Sequence, residues 1–152
     1  MSTLVIGIGN TLRGDDGVGP FVVELLRAAH ADGLELRTTA TVLPELAGEM
    51  PGHSRVVFVD ADLEAHEVTL RSVAAPPGND GLHRFAPARV VEMARGLGFI
   101  GKAWLCSLPV QSMAPGEALS KRAVLAAGRA AALLLGRFAP PPGTDRPPLP
   151  ER

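Results

Sequence analysis

Alternating apolar and polar positions divide residues 1–139 into short strands and amphipathic helices. Residues 18–30 carry apolar side chains at one-turn spacing, which predicts a helix with one buried face. Residues 55–59 form a continuous apolar run, typical of a central parallel strand, whereas residues 67–73 alternate with period two, typical of an edge strand. Strands are predicted at 4–8, 34–42, 55–59, 67–73 and 102–107, and helices at 18–30, 44–50, 87–97 and 119–138.

The order of these elements predicts an α/β fold. Strands that alternate with helices favour a three-layer α/β/α sandwich around a twisted, mostly parallel five-stranded sheet. Because residues 67–73 follow the third strand without a helix between them, one strand is expected to be antiparallel. Residues 1–139 are predicted to form a single domain. Residues 140–152, PPPGTDRPPLPER, contain few core-forming side chains and are expected to form a disordered tail.

Composition excludes several classes of partner. The 152 residues carry 15 basic and 16 acidic side chains, and this net charge of −1 predicts no attraction to nucleic acid or anionic membrane. No apolar run reaches the roughly 20 residues of a membrane span, and residues 1–20 lack the pattern of a signal peptide. A single cysteine allows no internal disulfide. We therefore expect a cytoplasmic protein.

The loop after the first strand predicts a cation site. Its sequence, GIGNTLRGDDGVGP, brings Asp15 and Asp16 to a helix start at the edge of the sheet where α/β proteins bind ligands. A phosphate-binding loop presents bare N–H groups, and sometimes a lysine, at this point, whereas this loop presents two carboxylates. Capping of the helix is the structural alternative, and the two roles can divide, with Asp15 capping and Asp16 reaching the site.

Two further side chains are expected near the same edge. Asp60 ends the buried third strand, and His83 lies between a Pro/Gly-rich loop and the helix that begins at Pro87. The carboxylates of Asp16 and Asp60 and the imidazole of His83 suit Ni, Zn, Co or Fe and leave positions open for water or substrate. A structural role for each remains the alternative, and Asp62 is either a solvated loop residue or a partner of the site residues.

Other potentially reactive side chains have structural interpretations. Cys106, near the end of the last strand, is interpreted as a buried residue because no histidine is placed beside it. Ser107 and Ser112 lack the strained turn that activates a serine nucleophile, and Ser120 is interpreted as the N-cap of the last helix. The remaining histidines (His30, His53 and His66) lie at a helix end, in a loop and at an edge strand.

Four motifs together resemble the [NiFe] hydrogenase maturation endopeptidases. They are GIGNTLRGDDGVGP, VVFVDA, GLHRFAPARVVEMA and APGEALS, and in this order they cover nearly all of residues 3–137. The resemblance implies removal of a C-terminal extension from a hydrogenase large-subunit precursor after nickel insertion. The family's three metal-contacting residues correspond to Asp16, Asp60 and His83, which are therefore the expected metal and catalytic residues.

The resemblance also carries expectations about the metal and the partner. It implies that nickel arrives with the precursor, that other divalent metals can substitute for it, and that the protein is a monomer. Many members carry an Asp-Gly-Gly-Thr segment linked to substrate choice after the second strand. In this chain residues 38–50 read TTATVLPELAGEM, and their LPEL portion is closer to the subgroup that serves bidirectional or soluble hydrogenases.

Two other functions remain open from the sequence. A non-catalytic nickel-checking chaperone of hydrogenase assembly would use the same three residues. A nucleotide-binding α/β enzyme would use the glycine-rich loop, although the spacing of Gly7, Gly9 and Gly14 departs from the dinucleotide fingerprint.

Overall fold

A computed structural model describes residues 2–73 and 86–140, and the elements in these ranges follow the predicted order. The strands are β1 (Thr3–Ile8), β2 (Leu34–Thr39), β3 (Arg55–Asp62), β4 (Thr69–Ser72) and β5 (Lys102–Pro109), and the helices are α1 (Val18–Ala28), α2 (Pro87–Gly96) and α3 (Lys121–Phe138). Two 3₁₀ segments, Gly14–Gly17 and Pro44–Glu49, lie before α1 and β3. Residues 74–85, which include the predicted loop and His83, and the predicted tail from residue 141 onward lie outside the described residues.

The second and third strands each differ from the predicted bounds by three residues at the carboxyl end. The second strand ends at Thr39 rather than at residue 42. At this end the Thr39 hydroxyl donates to the Thr41 carbonyl oxygen at 2.8 Å and turns the chain. The third strand continues beyond residue 59 because it stays paired with β5 as far as Asp62 and Pro109. Asp60 therefore lies within the strand, near its end.

The described strands form one five-stranded sheet in the order β2-β1-β3-β5-β4. β1, β2, β3 and β5 are parallel, and β4 pairs with β5 in the antiparallel direction. The predicted α/β class and mixed sheet are confirmed. Because the chain moves from β1 to β2 on one side and returns to β3 on the other, the strand order reverses around β1. In an open α/β sheet a ligand crevice forms at such a reversal.

A hydrophobic core covers each face of the sheet, so the molecule has three layers. On one face, α1 and α3 pack against alternate sheet residues such as Val5, Val57 and Cys106. On the other, α2 and the 3₁₀ segment Pro44–Glu49 pack against Ile6 and Phe58. Alternation of neighbouring residues between two faces is the property of a strand that permits this arrangement. In the described ranges no helix combines the length and apolar character needed to cross a membrane.

Two glycines allow the segment after β1 to fold tightly onto the sheet. A Cβ at Gly19, in the first turn of α1, would lie 2.6 Å from the Val59 carbonyl oxygen and would also overlap that of Ile8. Gly9 has φ +148°, and a Cβ there would overlap the carbonyl oxygen of Asp16. Only glycine fits such close approaches. The start of α1 is thereby held against the ends of β1 and β3.

Candidate functional site

Asp16 and Asp60 lie at the carboxyl ends of neighbouring strands. Asp16 belongs to the 3₁₀ segment that follows β1, and Asp60 lies near the end of β3, which pairs with β1 up to the Gly7–Val59 position. The structure thus brings two of the three predicted site residues to one edge, at the point where the strand order reverses. The third, His83, lies outside the described residues.

A backbone amide orients each of these two carboxylates. The Asn10 N–H donates to Asp16 Oδ2 at 2.8 Å, and the Ala61 N–H donates to Asp60 Oδ1 at 2.8 Å. Both side chains are partly buried. Carboxylate oxygens held in this way are suitable ligands for a divalent cation, and two carboxylates leave room in the coordination shell for ligands from elsewhere.

Metal coordination needs more than these two side chains. Within residues 2–73 and 86–140 there is no group of three His, Cys, Asp or Glu side chains that could hold a metal ion. Asp16 and Asp60 are therefore candidates for part of a ligand set, and the predicted contribution of His83 stays a prediction.

Asp15 has a different environment from its neighbour and is almost completely buried, with 1% of its surface exposed. Its Oδ2 accepts from the Ser120 hydroxyl at 2.7 Å and from the backbone N–H groups of Gln111 at 2.8 Å and Ser112 at 3.2 Å. Its Oδ1 accepts from the Ser120 N–H at 2.7 Å. Asp15 therefore connects the loop after β1 to the segment between β5 and α3.

The charge of Asp15 is stabilised despite its burial. Burial is the largest single influence and by itself raises the pKa of this carboxyl, but the hydrogen bonds from Ser120, Gln111 and Ser112 together outweigh it and lower the pKa below its ordinary value. Asp15 is thus an ionised structural group, and the alternative in which it caps α1 is wrong. Asp15 makes no capping bond to α1 and instead anchors the start of α3.

Sequence reasoning did not identify the partners of Asp15. Gln111 and Ser120 lie 96 and 105 residues away along the chain. The only sequence signal was the position of Ser120 before the last helix. Its predicted N-cap role is confirmed, because the Ser120 hydroxyl accepts from the Ala123 N–H at 3.1 Å.

The backbone of the glycine-rich loop is poorly suited to phosphate. A phosphate cradle requires several N–H groups free to donate to the ligand. In this loop six amides already donate to acceptors within the protein: those of Gly9, Asn10, Leu12, Arg13, Asp15 and Asp16. The loop geometry therefore favours the cation site over the nucleotide-binding alternative.

Cys106 has the environment of a structural residue. Its side chain is fully buried in the core beneath α1 and α3, and burial raises the pKa of its thiol to about 12. The interpretation of Cys106 as a buried residue is confirmed. His53 also has local partners, with Nδ1 lying 2.9 Å from Ser2 Oγ and Nε2 lying 3.0 Å from Glu35 Oε2.

The molecule is an α/β/α protein. Its candidate ligand site is formed by the carboxylates at the carboxyl edge of the sheet, where the strand order reverses. No protein-family model matches the chain, and no curated protein matches it by sequence. Several solved structures do match its fold, and among them are hydrogenase maturation peptidases from two archaea and a bacterium.

The matches extend over almost the whole of both chains. The [NiFe] hydrogenase maturation protease HycI from Thermococcus kodakarensis KOD1 matches with a TM-score of 0.76 and 22% identity, over 90% of this chain and 92% of that one. The hydrogenase 2 maturation peptidase from a Thaumarchaeota archaeon matches with a TM-score of 0.64 and 27% identity, over 90% and 97% of the two chains. The maturating endopeptidase HybD from Escherichia coli matches with a TM-score of 0.71 and 21% identity, over 90% and 91%.

This chain has the fold of the [NiFe] hydrogenase maturation proteases. The resemblance predicted from its four motifs is thereby confirmed.

Proposed function

We propose that this protein is an endopeptidase that removes the C-terminal extension of a [NiFe] hydrogenase large-subunit precursor after nickel insertion. The observation that carries the proposal is the pairing of a maturation-protease fold with Asp16 and Asp60 at the carboxyl edge of that fold. Cleavage, nickel dependence and the identity of the precursor are all part of the proposal.

In this proposal Asp16, Asp60 and His83 contact the nickel that arrives with the precursor and so position the scissile peptide. The oxygen and nitrogen donors would bind nickel weakly by themselves and would act together with ligands from the precursor. A water molecule polarised by the metal or by a carboxylate then attacks the carbonyl carbon of the scissile bond. The contribution of the protein is to hold the reacting groups together.

Exposed leucines support a protein substrate at this edge. Leu12, Leu43 and Leu63 are 75%, 45% and 56% exposed, and each lies in the segment that follows β1, β2 or β3. These strands are neighbours in the sheet, so the leucines share the edge that carries Asp16 and Asp60. Exposed large apolar side chains around a site are typical of surfaces that contact another protein.

The test is an intact-mass measurement on the hydrogenase large-subunit precursor, in nickel-loaded and nickel-free forms. The proposal predicts loss of a C-terminal peptide from the loaded form alone. Asp16→Asn, Asp60→Asn and His83→Ala should each reduce the rate by about 100-fold or more, since each removes a group that positions the reacting atoms. Asp32→Asn and His66→Ala are controls of matched residue type at exposed positions and should process at the normal rate.

Two results would contradict the proposal. Binding of the loaded precursor without any loss of mass would favour the chaperone function instead. Normal processing by all three site variants would show that the assigned residues do not take part in cleavage.

A further inference from the structure

The turn that follows β1 presents an exposed leucine on a fixed backbone. Leu12, in this turn, is 75% exposed. Asn10 begins the turn: its carbonyl oxygen accepts from the Arg13 N–H at 3.1 Å, and its Oδ1 accepts from the Leu12 N–H at 2.9 Å. The carbonyl oxygen of Leu12 accepts from the Gly116 N–H at 2.9 Å. Both backbone polar groups of Leu12 are therefore hydrogen-bonded, and only its side chain faces water.

The turn that follows β3 has the same pattern of hydrogen bonds. Asp62 begins it: its carbonyl oxygen accepts from the Ala65 N–H at 3.2 Å, and its Oδ1 accepts from the Glu64 N–H at 2.9 Å. Leu63 is the second residue of this turn and is 56% exposed. The Ala65 carbonyl oxygen also accepts from Arg122 Nη2, at the start of α3, at 3.1 Å. Because Asn and Asp at the first position bond to the amide two residues on, they fix the conformation of such turns.

The two leucines lie close in the chain to the candidate site residues. Leu12 precedes Asp16 by four residues, and Leu63 follows Asp60 by three. The strands before the two turns, β1 and β3, are adjacent and parallel, so both turns lie at the carboxyl edge of the sheet. An exposed apolar side chain on a fixed backbone loses little conformational freedom when a partner covers it, and exposed apolar groups are typical of interaction surfaces.

We propose that Leu12 and Leu63 form a docking surface for an apolar patch of the precursor, beside the residues that contact its nickel. The occupant is the precursor because the surface is continuous with the edge that carries Asp16 and Asp60. A leucine side chain has no atom that can coordinate a metal, so this surface adds affinity that is independent of nickel. The inference rests on the proposed function and assigns a second set of contacts to the same partner.

The kinetic test compares wild type with the double variant Leu12→Ser/Leu63→Ser on the nickel-loaded precursor. Both side chains are exposed, so the fold should be retained, and an unchanged urea midpoint checks this. The expected result is a rise in KM of about tenfold with kcat unchanged, because the lost contacts bind the ground state and the transition state equally.

The matched control is the double variant Leu97→Ser/Ile100→Ser. These side chains are 59% and 95% exposed and lie between α2 and β5, at the amino end of β5 and thus at the opposite edge of the sheet. The control should leave KM unchanged. Equal KM values for wild type and the Leu12→Ser/Leu63→Ser variant would overturn the inference, as would an equal rise in the control.

A binding measurement separates the docking surface from the metal contacts. The nickel-free precursor is titrated by calorimetry into wild type, the Leu12→Ser/Leu63→Ser variant and Asp16→Asn. We expect Kd to rise about tenfold in the leucine variant and to stay at the wild-type value in Asp16→Asn, since no nickel is present for that carboxylate to contact. An unchanged Kd in the leucine variant, or no binding of the nickel-free precursor by wild type, would overturn the inference. Absence of cleavage of the loaded precursor by wild type would instead reject the proposed function.

Discussion

The buried carboxylate of Asp15 provides the sharpest test of how this fold is held together. Asp15→Asn keeps the size of the side chain but replaces one acceptor oxygen with an NH₂ group and removes the charge. The carboxylate accepts from four donors: the hydroxyl and N–H of Ser120 and the N–H groups of Gln111 and Ser112. The amide oxygen can occupy only one of the two positions, so donors on the other side face a second donor.

The expected loss in the free energy of unfolding is about 3 kcal/mol at pH 7. A hydrogen bond to a charged group contributes roughly 1.5–3 kcal/mol, and leaving a buried donor without an acceptor costs roughly 1–3 kcal/mol. These effects overlap within one cluster, so their sum overestimates the change. Ser120→Ala removes one of the four donors together with the N-cap of α3 and should cost about 1–2 kcal/mol.

The contribution of Asp15 should also depend on pH with a defined sign. Its pKa in the folded protein lies below the value of about 3.9 in an unfolded chain. The unfolded state therefore binds more protons between the two pKa values, and the stability that Asp15 supplies is fully present above about pH 4 and is lost as the pH falls through the folded pKa. The difference between wild type and Asp15→Asn should be constant near neutrality and should shrink below about pH 4.

Urea unfolding at pH 7 and at several acidic values measures these quantities. Asp62→Asn is a matched control, because Asp62 Oδ1 accepts one bond from the Glu64 N–H and an asparagine oxygen can accept the same bond. We expect a change of at most about 0.5 kcal/mol for that variant. A loss below about 1 kcal/mol for Asp15→Asn, or a loss that does not shrink in acid, would refute the assignment of Asp15 as an ionised anchor.

Three further outcomes are expected from the packing. Gly19→Ala should destabilise the protein by about 3 kcal/mol in urea unfolding, because its Cβ would overlap the carbonyl oxygens of Ile8 and Val59; an unchanged midpoint would contradict the close approach. Gly128→Ala lies on the exposed face of α3, where the new Cβ would meet no atom within 4 Å beyond its chain neighbours and the adjacent helix backbone. It should instead stabilise by about 0.5–1 kcal/mol and raise Tm, and a lower Tm would argue against an open position. Cys106 should react with a thiol reagent at pH 8 only when the protein unfolds, since its pKa is about 12 and its side chain is buried; rapid labelling of the native protein would show an accessible thiolate.

Much of the candidate site could be anticipated from residue order. Asp60 follows the apolar run of β3, Asp16 follows a strand and a glycine-rich loop, and strand ends in a parallel sheet share an edge. The different burial of Asp15 and Asp16 could not be predicted in this way. Adjacent residues in a 3₁₀ turn point in different directions, and only the packing around them decides which one is buried. The role predicted for His83 stays a prediction.

Local patterns in the sequence were sufficient for the element order, the α/β class and the antiparallel edge strand, because the periodicity of apolar side chains depends on neighbours within a few residues. The tertiary structure alone decided the strand order β2-β1-β3-β5-β4 and the anchoring of Asp15. Each of these depends on segments far apart in the chain, as with the 105 residues between Asp15 and Ser120. Such contacts exist only after the sheet and its helices have brought those segments together, so no local pattern encodes them.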